Sequence, residues 1–214
     1  MEVLLLVPVL LFSFVVHEYA HAWVARREGD PTAEQLGRIT LNPLAHIDLF
    51  GTIIIPVMLL VTKAGFIIGW AKPVPIVPAN FLRGRKSQVL VAVAGVTANL
   101  ALALALTVVV IGLTYAERAL PDVAFIRLLR TMAEGGIFLN FLLVVFNLMP
   151  LPPLDGWTVL QNLLPVRIAT AVQKFQTLAV LVFLAMFLTG TFTFVMKPAI
   201  LLHQLSRTVI QWST

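Results

Sequence analysis

The chain has 214 residues, 59% hydrophobic and 12% charged, with a formal net charge of +5. Soluble domains carry about 25% charged residues and at most about half apolar ones, so this composition excludes a soluble globular domain and puts most of the surface in lipid. The length admits roughly four to six spanning helices, the absence of cysteine excludes disulfides and thiolate metal ligands, and basic residues scattered over loops suit orientation and anionic headgroups rather than nucleic acid.

The first apolar segment runs over 3–25 and is broken by Glu18. Met1-Glu2 supplies no basic leader region and the apolar run continues past His17, so the segment is expected to be a retained helix rather than a cleaved signal. Within it lies His17-Glu18-Tyr19-Ala20-His21. Residues four apart share one helix face, so the two imidazoles can grip one divalent cation. Glu18 is turned by about 100° from His17 and reaches toward a water beside the metal rather than the metal itself. An ionisable side chain in the bilayer interior costs at least ~2.5–3.5 kcal/mol, and three in five residues need a shared partner. A catalytic zinc site takes three protein ligands, so a third must come from elsewhere in the chain.

The next apolar run is too short to span, and Gly51, Pro56, Lys63, Gly65 and Gly69 punctuate it. Residues 49–71 are expected to form a re-entrant or interfacial hairpin, covered by protein or lining a cavity. Its β-branched stretch Thr52–Pro56, or alternatively Gly65–Trp70, reads as an edge strand for an unwound substrate, with Thr52, Ile53, Ile54 and Ile55 as substrate contacts. The prolines of Lys72–Pro78 keep the following stretch extended. Two further spans are expected near 88–116 and 135–151, and a fourth near 175–196. Gly95, Asn99 and Asn140 suit close helix packing. His46 reads as a hydrogen-bonded loop histidine, and Trp23 and Trp70 as interfacial anchors.

The third span ends in Asn147-Leu-Met-Pro-Leu-Pro-Pro-Leu-Asp155-Gly156. Pro150 stops the helix and the proline pair presents Asp155 on irregular backbone at the membrane edge. Spans one and three run in the same direction, which brings Asp155 to a depth near that of His17 and makes it a geometrically suitable third ligand. Asn147 serves either as an active-site donor to a developing oxyanion or as a packing group between helices. Ten of the 15 Lys and Arg lie in the loops after spans one and three, which puts those loops in the cytoplasm and both termini outside.

The His17–His21 motif together with Asn147–Gly156 resembles the site-2 protease family of intramembrane zinc metalloproteases, and Gly37–Asp48, Gly69–Pro75 and Ala94–Asn99 are also similar to that family. The resemblance implies one Zn2+ held by His17, His21 and Asp155, with Glu18 as the catalytic glutamate. It implies an endopeptidase that cuts transmembrane or membrane-proximal segments of other proteins, in regulated intramembrane proteolysis or in clearance of signal-peptide remnants. The expected partners are a transmembrane protein substrate and the lipid bilayer, with no nucleic acid and with homo-oligomerisation left open. The expected location is a bacterial or archaeal cell membrane, active site toward the cytoplasm. Two departures stand out: Val96 where many relatives have proline, and Trp157 where a second glycine is common. The chain resembles the minimal form, without inserted peptide-binding or nucleotide-sensing domains.

The fold class expected is therefore an all-α membrane protein, a single domain over 1–214 with about four transmembrane helices and the hairpin after the first. A competing reading is a membrane metal carrier using the same His/Asp cluster. That function needs several polar sites along a path, and spans two and four hold no acidic or basic residue.

Overall fold

A computed structural model describes residues 2–62, 69–173, 177, 179, 181, 185, 186 and 189–214. The architecture is helical, with no strand among the described residues. Among the described residues, three helices are long and apolar enough to cross a membrane: α1 (Glu2–Arg27), α4 (Arg85–Ala119) and α5 (Ala124–Asn147). Between α1 and α4 lie α2 (Thr32–Gln35) and α3 (Ile55–Val61); after α5 come α6 (Asp155–Leu163), α7 (Val166–Gln173) and α8 (Lys197–Ser213). Nine of the 22 residues of the fourth expected span, 175–196, lie outside the described residues, and its described end turns at 189–191 with Gly190 at φ +72°. The chain divides into two compact units, Leu11–Gly95 and Met1–Leu10 with Val96–Thr214.

In the Leu11–Gly95 unit, α1 ends where Gly29 adopts φ +105°. Gly29 N–H donates to the Arg26 carbonyl and Asp30 N–H to that of Ala25, the paired bonds of a Schellman cap. A side chain at Gly29 would also strike the Asn80 carbonyl and Leu82. The cap delivers Glu28 and Asp30, both buried, to the loop before α4. Glu28 accepts from Arg83 Nε at 3.0 Å and Ser87 Oγ at 2.6 Å. The Arg83 guanidinium, then the Ser87 hydroxyl, hold its carboxyl below the usual range. Asp30 accepts from Thr32 N and Oγ1, Val77 N and Asn80 Nδ2. Burial alone would raise the Asp30 carboxyl, but these donors together outweigh it and hold it low.

The two ends of the expected hairpin, 49–62 and 69–71, are described, and their conformation corrects the edge-strand reading. Leu49–Ile54 forms a widened, π-type helical turn that continues into α3, so Thr52, Ile53, Ile54 and Ile55 are helical and not an edge strand. Asp48 caps the turn by accepting from Gly51 N at 2.7 Å, which starts a helix despite the β-branched run. Trp70 N–H donates to the Gly51 carbonyl and Thr52 Oγ1 to that of Trp70, closing the ends on each other. The indole of Trp70 fills the space over Gly51, a packing role added to its expected interfacial one. Of the alternative edge, Gly65–Ile68 lie outside the described residues; Gly69 and Trp70 are irregular.

In the other unit, Ala103, Val110, Ala133, Ile137, Phe141 and Ala199 form a core from α4, α5 and α8. Asn99 Nδ2 donates to Asn140 Oδ1 at 2.7 Å, and Asn140 Nδ2 to the Gly136 carbonyl, both side chains fully buried. This is the interhelical polar contact expected of them. α5 begins eleven residues before the expected start, at Ala124 rather than 135. Absence of charge marks the hydrocarbon depth, whereas the helix continues beyond it, with Arg127 and Arg130 paired to Glu117 at 3.1 and 2.8 Å.

Glu28 and Asp30 both have depressed folded-state pKa values. Their contribution is complete above the unfolded carboxyl value of about 4 and is lost as pH falls through the lower folded values. Melting scans in detergent between pH 7 and pH 3 should therefore show stability falling in the acid limb. Asp30→Asn, which cannot titrate, should make that slope shallower while lowering the melting temperature at pH 7.

Candidate active site

The His17 and His21 side chains meet on one face of α1, as their spacing demands. Their Nε2 atoms are 2.9 Å apart and both residues are buried, 7% and 6% exposed. His21 Nδ1 lies 2.7 Å from the Val91 carbonyl of α4. A carbonyl can only accept, so the proton is on Nδ1 and the Nε2 lone pair faces His17. An orienting carbonyl on the far nitrogen is the arrangement metal-ligating histidines show.

Gly95 of α4 stands directly against the pair. A Cβ there would lie 2.5 Å from His17 Cε1 and 2.5 Å from His21 Nε2. The sequence reading assigned Gly95 to helix packing; the structure gives that packing a purpose, since only glycine leaves room for both rings. Two imidazole nitrogens converging at 2.9 Å, one ring oriented by a carbonyl and both backed by glycine, are a donor pair that fits a zinc ion.

Glu18, half-buried, projects from the adjacent position and its Oε2 accepts from the Val74 backbone N–H at 2.7 Å. His46 is fully buried, with Nε2 2.9 Å from the Thr40 carbonyl, the hydrogen-bonded loop histidine expected. Sequence reasoning missed Val91 and Val74, whose backbone groups act here, because a backbone donor or acceptor leaves no signature in residue type.

Asn147 is the last residue of α5, and its Nδ2 donates to the Leu143 carbonyl of its own helix at 3.0 Å. Asp155, half-buried, is the first residue of α6, with acidic charge in the first turn. This corrects the expectation of irregular backbone: the chain re-enters helix at Asp155 itself. The turn is tight, since a Cβ at Gly156 would collide with the carbonyls of Leu148 and Met149.

The family described as "Peptidase family M50" matches residues 5–135, which include His17–His21 and Gly95 but not Asn147 or Asp155. The chain is 40% identical over 194 residues to a Bacillus subtilis protein named "Putative zinc metalloprotease YwhC", covering 90% of this chain and 84% of that one. Proteins named "Putative zinc metalloprotease Rip2" match at 34% over 154 residues in Mycolicibacterium smegmatis and 32% over 184 in Mycobacterium tuberculosis. Those matches cover 71% and 85% of this chain but only 54% and 65% of the relatives' lengths. No solved structure gives a significant match.

Gly95→Ala should spare the fold and spoil the metal pair, because ring ends yield more readily than a helix backbone. Zinc affinity, titrated with a competing chelator, is expected to drop by about tenfold or more.

Proposed function

Since this chain belongs to peptidase family M50, we propose how its residues divide the work of peptide hydrolysis in a membrane. It is an integral membrane zinc metalloprotease, and the carrier reading is set aside because the matching family and its named relatives are proteases. The single observation that carries the residue assignment is the convergence of His17 and His21 on one point of an apolar helix, with Glu18 beside them.

His17 and His21 would hold the zinc, and Asp155 would complete the set, since a carboxylate is among the ligand types open to a cysteine-free chain. Bound zinc supplies a Lewis acid that polarises a scissile carbonyl and acidifies water. The Glu18 carboxylate takes a proton from the attacking water as its oxygen bonds to the carbonyl carbon. It returns that proton to the amide nitrogen as the C–N bond breaks. Asn147 would donate to the carbonyl oxygen as charge builds, after turning its amide away from Leu143. Ile53 and Ile54, exposed on the hairpin, would meet substrate through side chains, since a helix offers no free ladder edge.

The substrate class proposed is a transmembrane or membrane-proximal segment, locally unwound so that a carbonyl can reach the site. The excess of basic residues in the loops after spans one and three supports a cytoplasmic active site. The proposed ligands come from one chain, so metal binding does not require a homo-oligomer.

Glu18→Gln keeps shape and removes the base. In detergent it should retain one zinc per chain by elemental analysis and cleave a transmembrane test substrate about a hundred- to ten-thousandfold more slowly. His17→Ala and Asp155→Ala should instead lose zinc. Retention of zinc by Asp155→Ala would remove Asp155 from the ligand set.

A further inference from the structure

Resting on Glu18 as the base, we propose that Asp30 and the backbone of Val74 form a positioning chain that holds the Glu18 carboxylate for proton transfer. Glu18 Oε2 is anchored by the Val74 N–H at 2.7 Å, leaving Oε1 to receive the proton. Without an anchor the long side chain would be free to sample other rotamers or to swing onto the metal, since carboxylate oxygen is itself a zinc ligand.

The donor is held from both sides. Two residues before it, Lys72 N–H donates to the His46 carbonyl at 2.8 Å, and Arg38 Nη2 donates to the Lys72 carbonyl at 2.8 Å. Three residues after it, Val77 N–H donates to Asp30 Oδ2 at 2.6 Å. The Val74 side chain is buried with Ala22 of α1 and Ala33. Pro73 and Pro75 fix φ on both flanks and have no N–H, so no neighbouring donor competes for the carboxylate.

Asp30 is 0% exposed, an unusual place for a carboxylate, and two of the four bonds it accepts, from Val77 N and Asn80 Nδ2, tie the α1 cap to the stretch that follows Val74. Oδ1 takes Thr32 N at 3.1 Å, Thr32 Oγ1 at 2.5 Å and Asn80 Nδ2 at 2.8 Å, while Oδ2 is given to Val77. Asp30 thus sets the height of Val74 relative to the helix that carries Glu18. It touches no reacting atom and acts only through Val74.

The test uses the full chain in detergent with a tagged transmembrane peptide that the wild type cleaves, reading zinc per chain, kcat and KM. Val74→Pro deletes the N–H and keeps three side-chain carbons, while Val74→Ala keeps the N–H and removes two carbons, so a loss of packing alone would fall on Val74→Ala. Val74→Pro is expected to retain zinc and to show a kcat about ten- to hundredfold below Val74→Ala at similar KM. Asp30→Asn, which sets an amide N–H among donors, should lower kcat in the same direction with zinc retained. The double variant should be no slower than Val74→Pro alone, because both act on one contact.

Equal kcat for the two Val74 variants overturns the proposal, as does a multiplicative double variant or a change confined to KM. A faster Val74→Pro enzyme also overturns it, since the contact would then be a brake. If Val74→Pro does not fold, Asp30→Asn decides alone: kcat lost with zinc kept supports the chain, and zinc lost or kcat unchanged overturns it. Glu18→Gln is run alongside. Should it still cleave, the base assignment fails; if it is dead while the Val74 variants match, only the positioning chain fails.

Discussion

Everything in this protein's chemistry depends on holding polar side chains inside an apolar helix. Two imidazoles and a carboxylate on α1 cost several kcal/mol to bury singly, and the structure offsets that cost by giving each a partner. The two Nε2 atoms face each other at 2.9 Å, His21 Nδ1 reaches the Val91 carbonyl, and Glu18 takes the Val74 N–H. Those partners come from two places, the first turns of α4 and the irregular segment before it. α4 also contributes Gly95, which gives the rings their space. The His17–His21 pair and Glu18 are therefore supported from several parts of the Leu11–Gly95 unit, although they span only five positions.

How much of this was legible follows from the range of the signals. The metal motif was readable because its geometry is intrahelical: spacing of four fixes a shared face with no tertiary knowledge. Asn99 and Asn140 were readable as packing groups because a buried amide in a membrane helix has few other uses. The backbone groups of Val91 and Val74 could not be read, since any residue supplies them. Asp30 carries no motif in the sequence, and only the fold shows it buried beneath four donors.

The edge-strand reading fails for a physical reason. β-branched residues at 52–55 suggested a strand, but β preference is weak and largely measures packing context. A local device, the Asp48 cap with Trp70 closing on Gly51, outweighs it. The third helix begins eleven residues before the uncharged stretch does, because a helix end and a hydrocarbon boundary are different quantities. Arg127, Arg130 and Glu134 lie on the part of α5 beyond that boundary, where Glu117 and Glu134 pair with the arginines.

The same facts constrain how a substrate is received. A bound peptide in extended form gains most from a strand edge with open donors and acceptors. The hairpin's helical arm has none to give, since helical backbone groups are spent within the helix. The irregular segment at 69–77 is scarcely better supplied. Pro73 and Pro75 carry no N–H, and those of Lys72, Val74 and Val77 are committed to His46, Glu18 and Asp30. This segment is built to support the carboxylate, and making it a template for substrate would require breaking the contacts that position Glu18. Among the described residues of this unit, then, apolar side chains are more available to a substrate than open backbone groups.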